Sequence, residues 1–102
     1  YRAEDLLFTQ ALLQNNNNDR MASKIDDLVE CGNTADLLGT LLTYIEQDGE
    51  IQKTADKLNI HRNSLDYRLK RIADITGKNP RQYFDLLYLY CAYIAYAFRD
   101  KN

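Results

Sequence analysis

Apolar residues recur at spacings of three and four along most of this chain, and no stretch alternates apolar and polar residues as a strand does. Such spacings place side chains on one side of a helix. The pattern therefore predicts an all-α fold: a helix-turn-helix three-helix core, two N-terminal helices and a long aromatic-rich C-terminal helix. The predicted helices cover about 3–14, 19–31, 35–48, 50–58, 62–76 and 80–99.

Polar and glycine residues between the apolar stripes predict where the helices begin and end. Asp19 and Thr34 are expected to cap the second and third helices, since short polar side chains accept hydrogen bonds from the first free backbone amides. Gly32 is expected to end the second helix. Asn79 followed by Pro80 predicts the opening of the last helix, which should run to about residue 99.

The segment 50–77 has the pattern of a helix-turn-helix motif. Ala55 is small enough for the close contact between two helices, and Asn59 tolerates the left-handed conformation that the turn needs. Ile60 fills the corner. The second helix then carries one apolar stripe, which consists of Leu65, Leu69 and Ile72.

A helical wheel centred on Leu65 predicts which side chains of the second motif helix face outward. The outward positions are Asn63, Asp66, Tyr67 and Lys70, and the flanking ones are Ser64, Arg68 and Arg71.

Charge is distributed unevenly along the chain. The whole chain has a formal net charge of −2, but residues 50–81 contain eight basic and four acidic side chains, which gives this segment a charge of +4. A cationic segment in an acidic protein is typical of a protein that binds DNA phosphates.

The run TADKLNIHRNSLDYRLKRI, from Thr54 to Ile72, also resembles a known family. It is similar to the C-terminal DNA-binding domain of the PucR-type regulators, which include the sugar-diacid (CdaR-type) regulators. The resemblance covers about residues 35–89. Ser64 stands where the family usually has Thr, and Asp66 stands where Arg is common, which removes a cation from the outward side. Fis-like DNA-binding domains have a related arrangement and the same activity.

The usual docking of a helix-turn-helix motif places the first turns of the second helix in the major groove, where they reach base edges. This geometry predicts contacts to bases from Arg62, Asn63, Ser64 and Tyr67. For Arg62, which lies nearer the inward side on the wheel, a phosphate contact is the alternative. The remaining candidates would hold phosphates: Lys53, Thr54, His61, Arg68, Lys70 and Arg71. For His61, the only histidine, capping of backbone groups is the competing role.

The last helix is apolar on nearly every side and carries Tyr or Phe at seven positions between 83 and 98. Such a helix is expected to be buried all round. Two arrangements would bury it: packing against residues 1–31 of the same chain, or a homodimer contact through this helix. The domain division that we predict is an N-terminal helical extension, 1–33, and a helix-turn-helix DNA-binding domain, 34–102.

Other functional classes receive little support. No nucleophile, metal-ligand set or carboxylate pair stands at a catalytic spacing, so neither an enzyme nor a cofactor is expected. The longest apolar run, 86–98, is too short for a membrane span, and Cys31 and Cys91 are expected to be buried apolar residues. We expect a fragment of a cytoplasmic regulator with double-stranded DNA as its partner. The resemblance implies a small-molecule effector bound outside these residues. The alternative is a helical protein-interaction module that does not bind DNA.

Overall fold

The computed structural model describes residues 18–31 and 36–99, and these residues form five helices. The helices are α1 (Asn18–Cys31), α2 (Leu37–Glu46), α3 (Ile51–Leu58), α4 (Arg62–Thr76) and α5 (Tyr83–Arg99). No strand occurs in these two ranges, which confirms the all-α prediction. The additional helix predicted over 3–14 lies outside the described residues.

One hydrophobic core joins all five helices. Side chains from α1, α2, α4 and α5 provide most of it, and Ala55 of α3 contacts the same cluster. Its largest fully buried apolar members are Ile25, Leu28, Leu41, Leu65, Leu69, Ile72 and Leu89. The stripe predicted on α4 is therefore confirmed as its buried side.

The turn between α3 and α4 has the predicted left-handed residue. Asn59 has φ 56° and ψ 47°, and the next amide, that of Ile60, donates to the carbonyl of Ala55 at 3.0 Å. Ala55 is 1% exposed, as its place at the closest helix contact requires. These features fix the direction in which α4 leaves the turn.

Helix α1 packs mainly on α5 and also contacts α4. Its Lys24 side chain donates from Nζ to the carbonyl oxygen of Thr76 at 2.9 Å. This bond places a cation at the C-terminus of α4, where the helix dipole favours positive charge. The predicted domain boundary at residue 33 thus lies between α1 and α2, which contribute side chains to the same hydrophobic core.

Three helix starts differ from the sequence prediction. Asp36 caps α2, because its Oδ1 accepts from the Gly39 amide at 2.8 Å; Thr34 and Gly32 lie outside the described residues. Helix α1 already begins at Asn18, so Asp19 is not its N-cap but lies in the first turn.

The start of α5 is the third difference. Asn79 Oδ1 accepts from the Arg81 amide, and the Asn79 carbonyl accepts from the Gln82 amide, both at 3.0 Å. These bonds close a turn, so helical geometry begins only at Tyr83. Pro80 is the second residue of this turn, with its side chain fully buried, and is not the first helical residue.

Within the described residues, α5 is not buried on every side. Its central residues Leu89, Cys91 and Ala92 are buried, but Tyr83 and Phe84 at its start are 76% and 79% exposed. Helix α1 packs on α5. The packing that we predicted against residues 1–31 is therefore present for the described segment 18–31. Cys31 also departs from expectation, because it is exposed whereas Cys91 is buried.

Candidate nucleic-acid interface

Helix α4 is held from one side and open on the other. Leu65, Leu69 and Ile72 are at most 1% exposed, and they fix the rotation of the helix about its axis. Of the four residues predicted to point outward, Asn63, Tyr67 and Lys70 are exposed and Asp66 is half-buried. The geometry leaves a continuous polar face along the first three turns of α4.

All four residues predicted to read bases lie together at the start of α4. Arg62, Asn63 and Ser64 are exposed in its first turn, and Tyr67 is 63% exposed one turn later. The structure therefore leaves their side chains accessible to a large partner. Their contacts with bases remain a prediction.

His61 is the N-cap of α4. Its backbone is extended, with φ −70° and ψ 147°, and its Nδ1 accepts from the Asn63 amide at 3.1 Å. The capping role that we considered for His61 is therefore present. Because Nδ1 is an acceptor in this bond, neutral His61 carries its proton on Nε2, which leaves an exposed N–H donor at the helix N-terminus.

Three of the predicted phosphate contacts have exposed cationic side chains. Lys53 lies 3.4 Å from Glu50 Oε2, and Lys70 lies 3.1 Å from Asp66 Oδ2, with the side chains of Lys53 and Lys70 66% and 73% exposed. Arg71 is also exposed. Both ion pairs are open to solvent, where such pairs are weak, and each ammonium has three N–H donors, so each lysine can also donate to a phosphate.

Thr54 does not fit its predicted role as a phosphate contact. It is 0% exposed, and its hydroxyl donates to the Glu50 carbonyl oxygen at 2.6 Å. Its amide is used as well, since it also donates to that carbonyl oxygen, at 3.0 Å. A buried side chain whose donor is satisfied by the N-cap carbonyl of α3 cannot reach DNA, so we remove Thr54 from the candidates.

Arg68 also lies in a different environment from the one predicted. Its Nη1 donates to the hydroxyl oxygen of Thr40 at 3.1 Å, and the Thr40 hydroxyl in turn donates to the Asp36 carbonyl at 2.7 Å. The guanidinium is half-buried between α4 and α2. This bond uses one of the five guanidinium N–H donors and holds α4 on α2, and a contact of Arg68 with phosphate remains a prediction.

Arg81, in the connection between α4 and α5, is a member of this surface that the sequence did not indicate. Its Nη1 donates to Asp66 Oδ1 at 2.6 Å, which brings its guanidinium to the side of α4. Burial raises the pKa of the Tyr44 hydroxyl, and the charge of Arg81 partly offsets that rise. The separation of 15 positions between Asp66 and Arg81 explains why no local pattern indicated this pair.

The described ranges contain neither a metal-binding cluster nor a membrane-spanning helix. Within 18–31 and 36–99, no three His, Cys, Asp or Glu residues are grouped so as to hold a metal ion. None of the helices in the same ranges combines the length and apolar character that a membrane crossing requires.

Comparisons with known proteins match this part of the chain. Residues 37–95 match the model of the PucR C-terminal helix-turn-helix domain. An uncharacterized protein of Mycobacterium tuberculosis is 46% identical over 55 residues, which are 54% of this chain and 13% of that protein. The carbohydrate diacid regulator of Escherichia coli is 34% identical over 74 residues, 72% of this chain and 19% of the regulator.

A solved structure shares the fold. The regulator of polyketide synthase expression from Bifidobacterium adolescentis superposes with a TM-score of 0.63 and is 31% identical, over 66% of this chain and 28% of the regulator. This chain thus corresponds to less than a third of the length of each of these proteins. The family match covers more than half of the chain and includes α2 through most of α5, with the whole exposed face of α4. The chain therefore belongs to the family of PucR C-terminal helix-turn-helix domains.

Proposed function

We propose that this chain is the sequence-specific DNA-binding domain of a bacterial-type transcription regulator, with no enzymatic role. The observation that carries the proposal is the first turn of α4, where Arg62, Asn63 and Ser64 are exposed on a helix whose other side is locked into the core. A rigid helix with exposed polar groups at its N-terminus suits insertion into the major groove.

Base recognition follows from the donors and acceptors of these side chains. Arg62 can donate two hydrogen bonds to guanine O6 and N7, and Asn63 can bond adenine N6 and N7. The Ser64 hydroxyl can serve either base, and the Tyr67 ring lies one turn further along the same face. Each good bidentate pair discriminates by about 1–3 kcal/mol.

Phosphate contacts would orient the domain on the duplex. Lys53 from α3 and Lys70 and Arg71 from α4 supply exposed cations around the reading face. His61 supplies an Nε2–H donor where the dipole of α4 also favours an anion. These groups hold the register without reading sequence.

Three further features belong to this proposal. A homodimer formed through α5 would present two reading helices to inverted half-sites, since one motif contacts few bases. The small-molecule effector would bind in a region outside this chain; among the relatives, the carbohydrate diacid regulator suggests a metabolite. Because bacterial DNA is in the cytoplasm, we place the protein there.

A helical protein-interaction module is the second candidate function. The exposed Tyr83 and Phe84 at the start of α5 favour it, because large aromatic side chains are enriched in protein interfaces. The two candidates differ in their response to salt. Neutralised phosphates release counterions, whereas an apolar contact is largely insensitive to ionic strength.

The test is selection of bound duplexes from a random pool, followed by affinity measurement between about 50 and 200 mM salt. We expect an enriched sequence and a slope of log K against log salt of about −2.7 per domain from Lys53, Lys70 and Arg71, steeper by about 0.9 for each further phosphate contact. Arg71→Ala should weaken binding to all sequences alike and flatten the slope by about one unit. Failure to retain any duplex would refute the DNA-binding role.

A further inference from the structure

Arg81 and Lys70 approach the same carboxylate from two different elements. Arg81 Nη1 donates to Asp66 Oδ1 at 2.6 Å, and Lys70 Nζ lies 3.1 Å from Asp66 Oδ2. The two cations therefore use separate oxygens of one side chain. Together the three side chains form a cluster with a net charge of +1, which we call the Asp66 cluster.

The Asp66 cluster is open to solvent. The side chains of Arg81, Lys70 and Asp66 are 49%, 73% and 36% exposed. Ion pairs this exposed add little to the stability of a fold, so stability alone does not account for the arrangement. Each cation keeps N–H donors that Asp66 does not use, since guanidinium has five and ammonium has three.

Hydrogen bonds in the turn before α5 hold the backbone of Arg81 in place. Its amide donates to Asn79 Oδ1 at 3.0 Å, and the Asn79 amide donates to Asp85 Oδ2 at 3.0 Å. Pro80, between them, is fully buried. A long cationic side chain held at both its base and its tip loses little conformational entropy when it binds an anion.

The position of the cluster along α4 relates it to the reading face. Asp66 lies one turn after Asn63, and Lys70 follows one turn later. Arg68, two residues from Asp66, is about 200° around the helix and binds Thr40 of α2 instead. The Asp66 cluster therefore borders the reading face on the flank away from that α2 contact.

We propose that Arg81 is a DNA-phosphate contact of this domain, and that Asp66 is a positioning residue that holds Arg81 and Lys70 for one stretch of the DNA backbone. The proposal rests on the proposed DNA-binding function. When DNA binds, a phosphate oxygen accepts from the donors that Asp66 leaves open. This positioning role explains why the acidic Asp66 lies on a surface that is proposed to contact anionic DNA.

The first experiment measures the affinity of Arg81→Ala for the selected duplex and for a random duplex as a function of salt. We expect equal weakening on both duplexes and a slope that is flatter by about 0.9, so that raising salt from 50 to 200 mM costs about 3.5-fold less affinity than in the unaltered protein. Arg20→Ala is the matched control, since Arg20 is an exposed arginine on α1, and its slope should not change. An unchanged slope for Arg81→Ala would overturn the proposal.

The second experiment tests the positioning role of Asp66. Asp66→Asn retains an oxygen that accepts from Arg81, whereas Asp66→Ala does not. We expect Arg81→Ala to flatten the slope by the full amount in the Asp66→Asn background and by clearly less in the Asp66→Ala background. Equal flattening in both backgrounds would show that Asp66 positions nothing. Circular dichroism at each salt concentration confirms that every variant is folded.

The two proposals fail in different ways. If the unaltered protein binds no duplex, DNA binding and the role of Arg81 both fall. If it binds with a steep salt dependence but Arg81→Ala has the same slope, only the role of Arg81 falls.

Discussion

At the scale of single residues, the start of α4 combines a helix cap at His61 with an exposed side chain at Asn63. His61 satisfies the Asn63 amide through Nδ1, while the side chain of Asn63 is exposed and free to face a partner. Capping therefore depends on the backbone of residue 63, and recognition depends on its side chain. Substitution of the side chain can test recognition while the helix start is retained.

Replacing Asn63 with Ala should relax the base preference at one position of each half-site. The reason is that the bidentate bond to adenine is lost, which is worth about 1–3 kcal/mol at that base pair. Selection from a random pool measures the preference position by position. Arg71→Ala is the comparison, because it should weaken all sequences alike. A variant with an unchanged preference would show that Asn63 does not read bases.

At the scale of elements, the turn between α3 and α4 determines how α4 is presented. Asn59 occupies the left-handed region, with φ 56°, and the amides of Asn59 and Ile60 close the end of α3. Residues other than Gly, Asn and Asp are strained in this region, because Cβ approaches the following carbonyl oxygen. The conformation of one residue therefore controls the angle between two helices.

Asn59→Ala should lower the free energy of unfolding by about 1 kcal/mol, whereas Asn59→Gly should change it by only a few tenths. Urea denaturation followed by circular dichroism measures both. Lys57→Ala, at an exposed helical position of α3, is the control and should stay within about 0.5 kcal/mol of the unaltered protein. Equal stability of the Ala and Gly variants at position 59 would contradict the strain argument.

The start of α5 shows a further effect at this scale. Asn79 and Asp85 hold a turn that delays the helix until Tyr83, and this turn carries Arg81 to the side of α4. A helix beginning at Pro80, as the sequence suggested, would have directed residue 81 differently. The connection thus belongs to the proposed interface as well as to the core.

At the scale of the whole molecule, α5 has aromatic surface at its start that is exposed among the described residues, 18–31 and 36–99. Tyr83 and Phe84 are 76% and 79% exposed, and their positions are about 100° apart around the helix axis. A second copy of the chain packed on this sector would bury them. It would also provide two copies of α4, as inverted half-sites about 34–36 Å apart require.

Phe84→Ser should therefore weaken self-association, because it removes a large apolar contact. Sedimentation velocity over a range of concentrations measures the monomer and dimer populations. Val29→Ser is the matched control, since Val29 is an exposed apolar residue on α1, 50% exposed, and should leave association unchanged. An unaltered protein that is monomeric at every concentration would exclude the dimer.

The sequence alone was sufficient for the features that depend on local spacing. The helical class, the Leu65 stripe, the left-handed Asn59 and the end of α4 at Gly77 follow from periodicity and from the backbone preferences of single residues. The family followed from the run 54–72, whose residues lie close together in sequence. The exposure of Asn63 and Tyr67 followed from the same period, once the buried side of α4 was known.

Only the tertiary structure decided which polar groups already had partners. Thr54 donates to the carbonyl of Glu50, the N-cap of α3, and is buried by packing, and Arg68 reaches Thr40, 28 residues earlier. Arg81 reaches Asp66 across 15 residues because the turn before α5 directs it there. Spacing along one helix fixes the direction in which a side chain points. Whether its hydrogen-bond donors are free depends on the acceptors that other helices and turns place next to it.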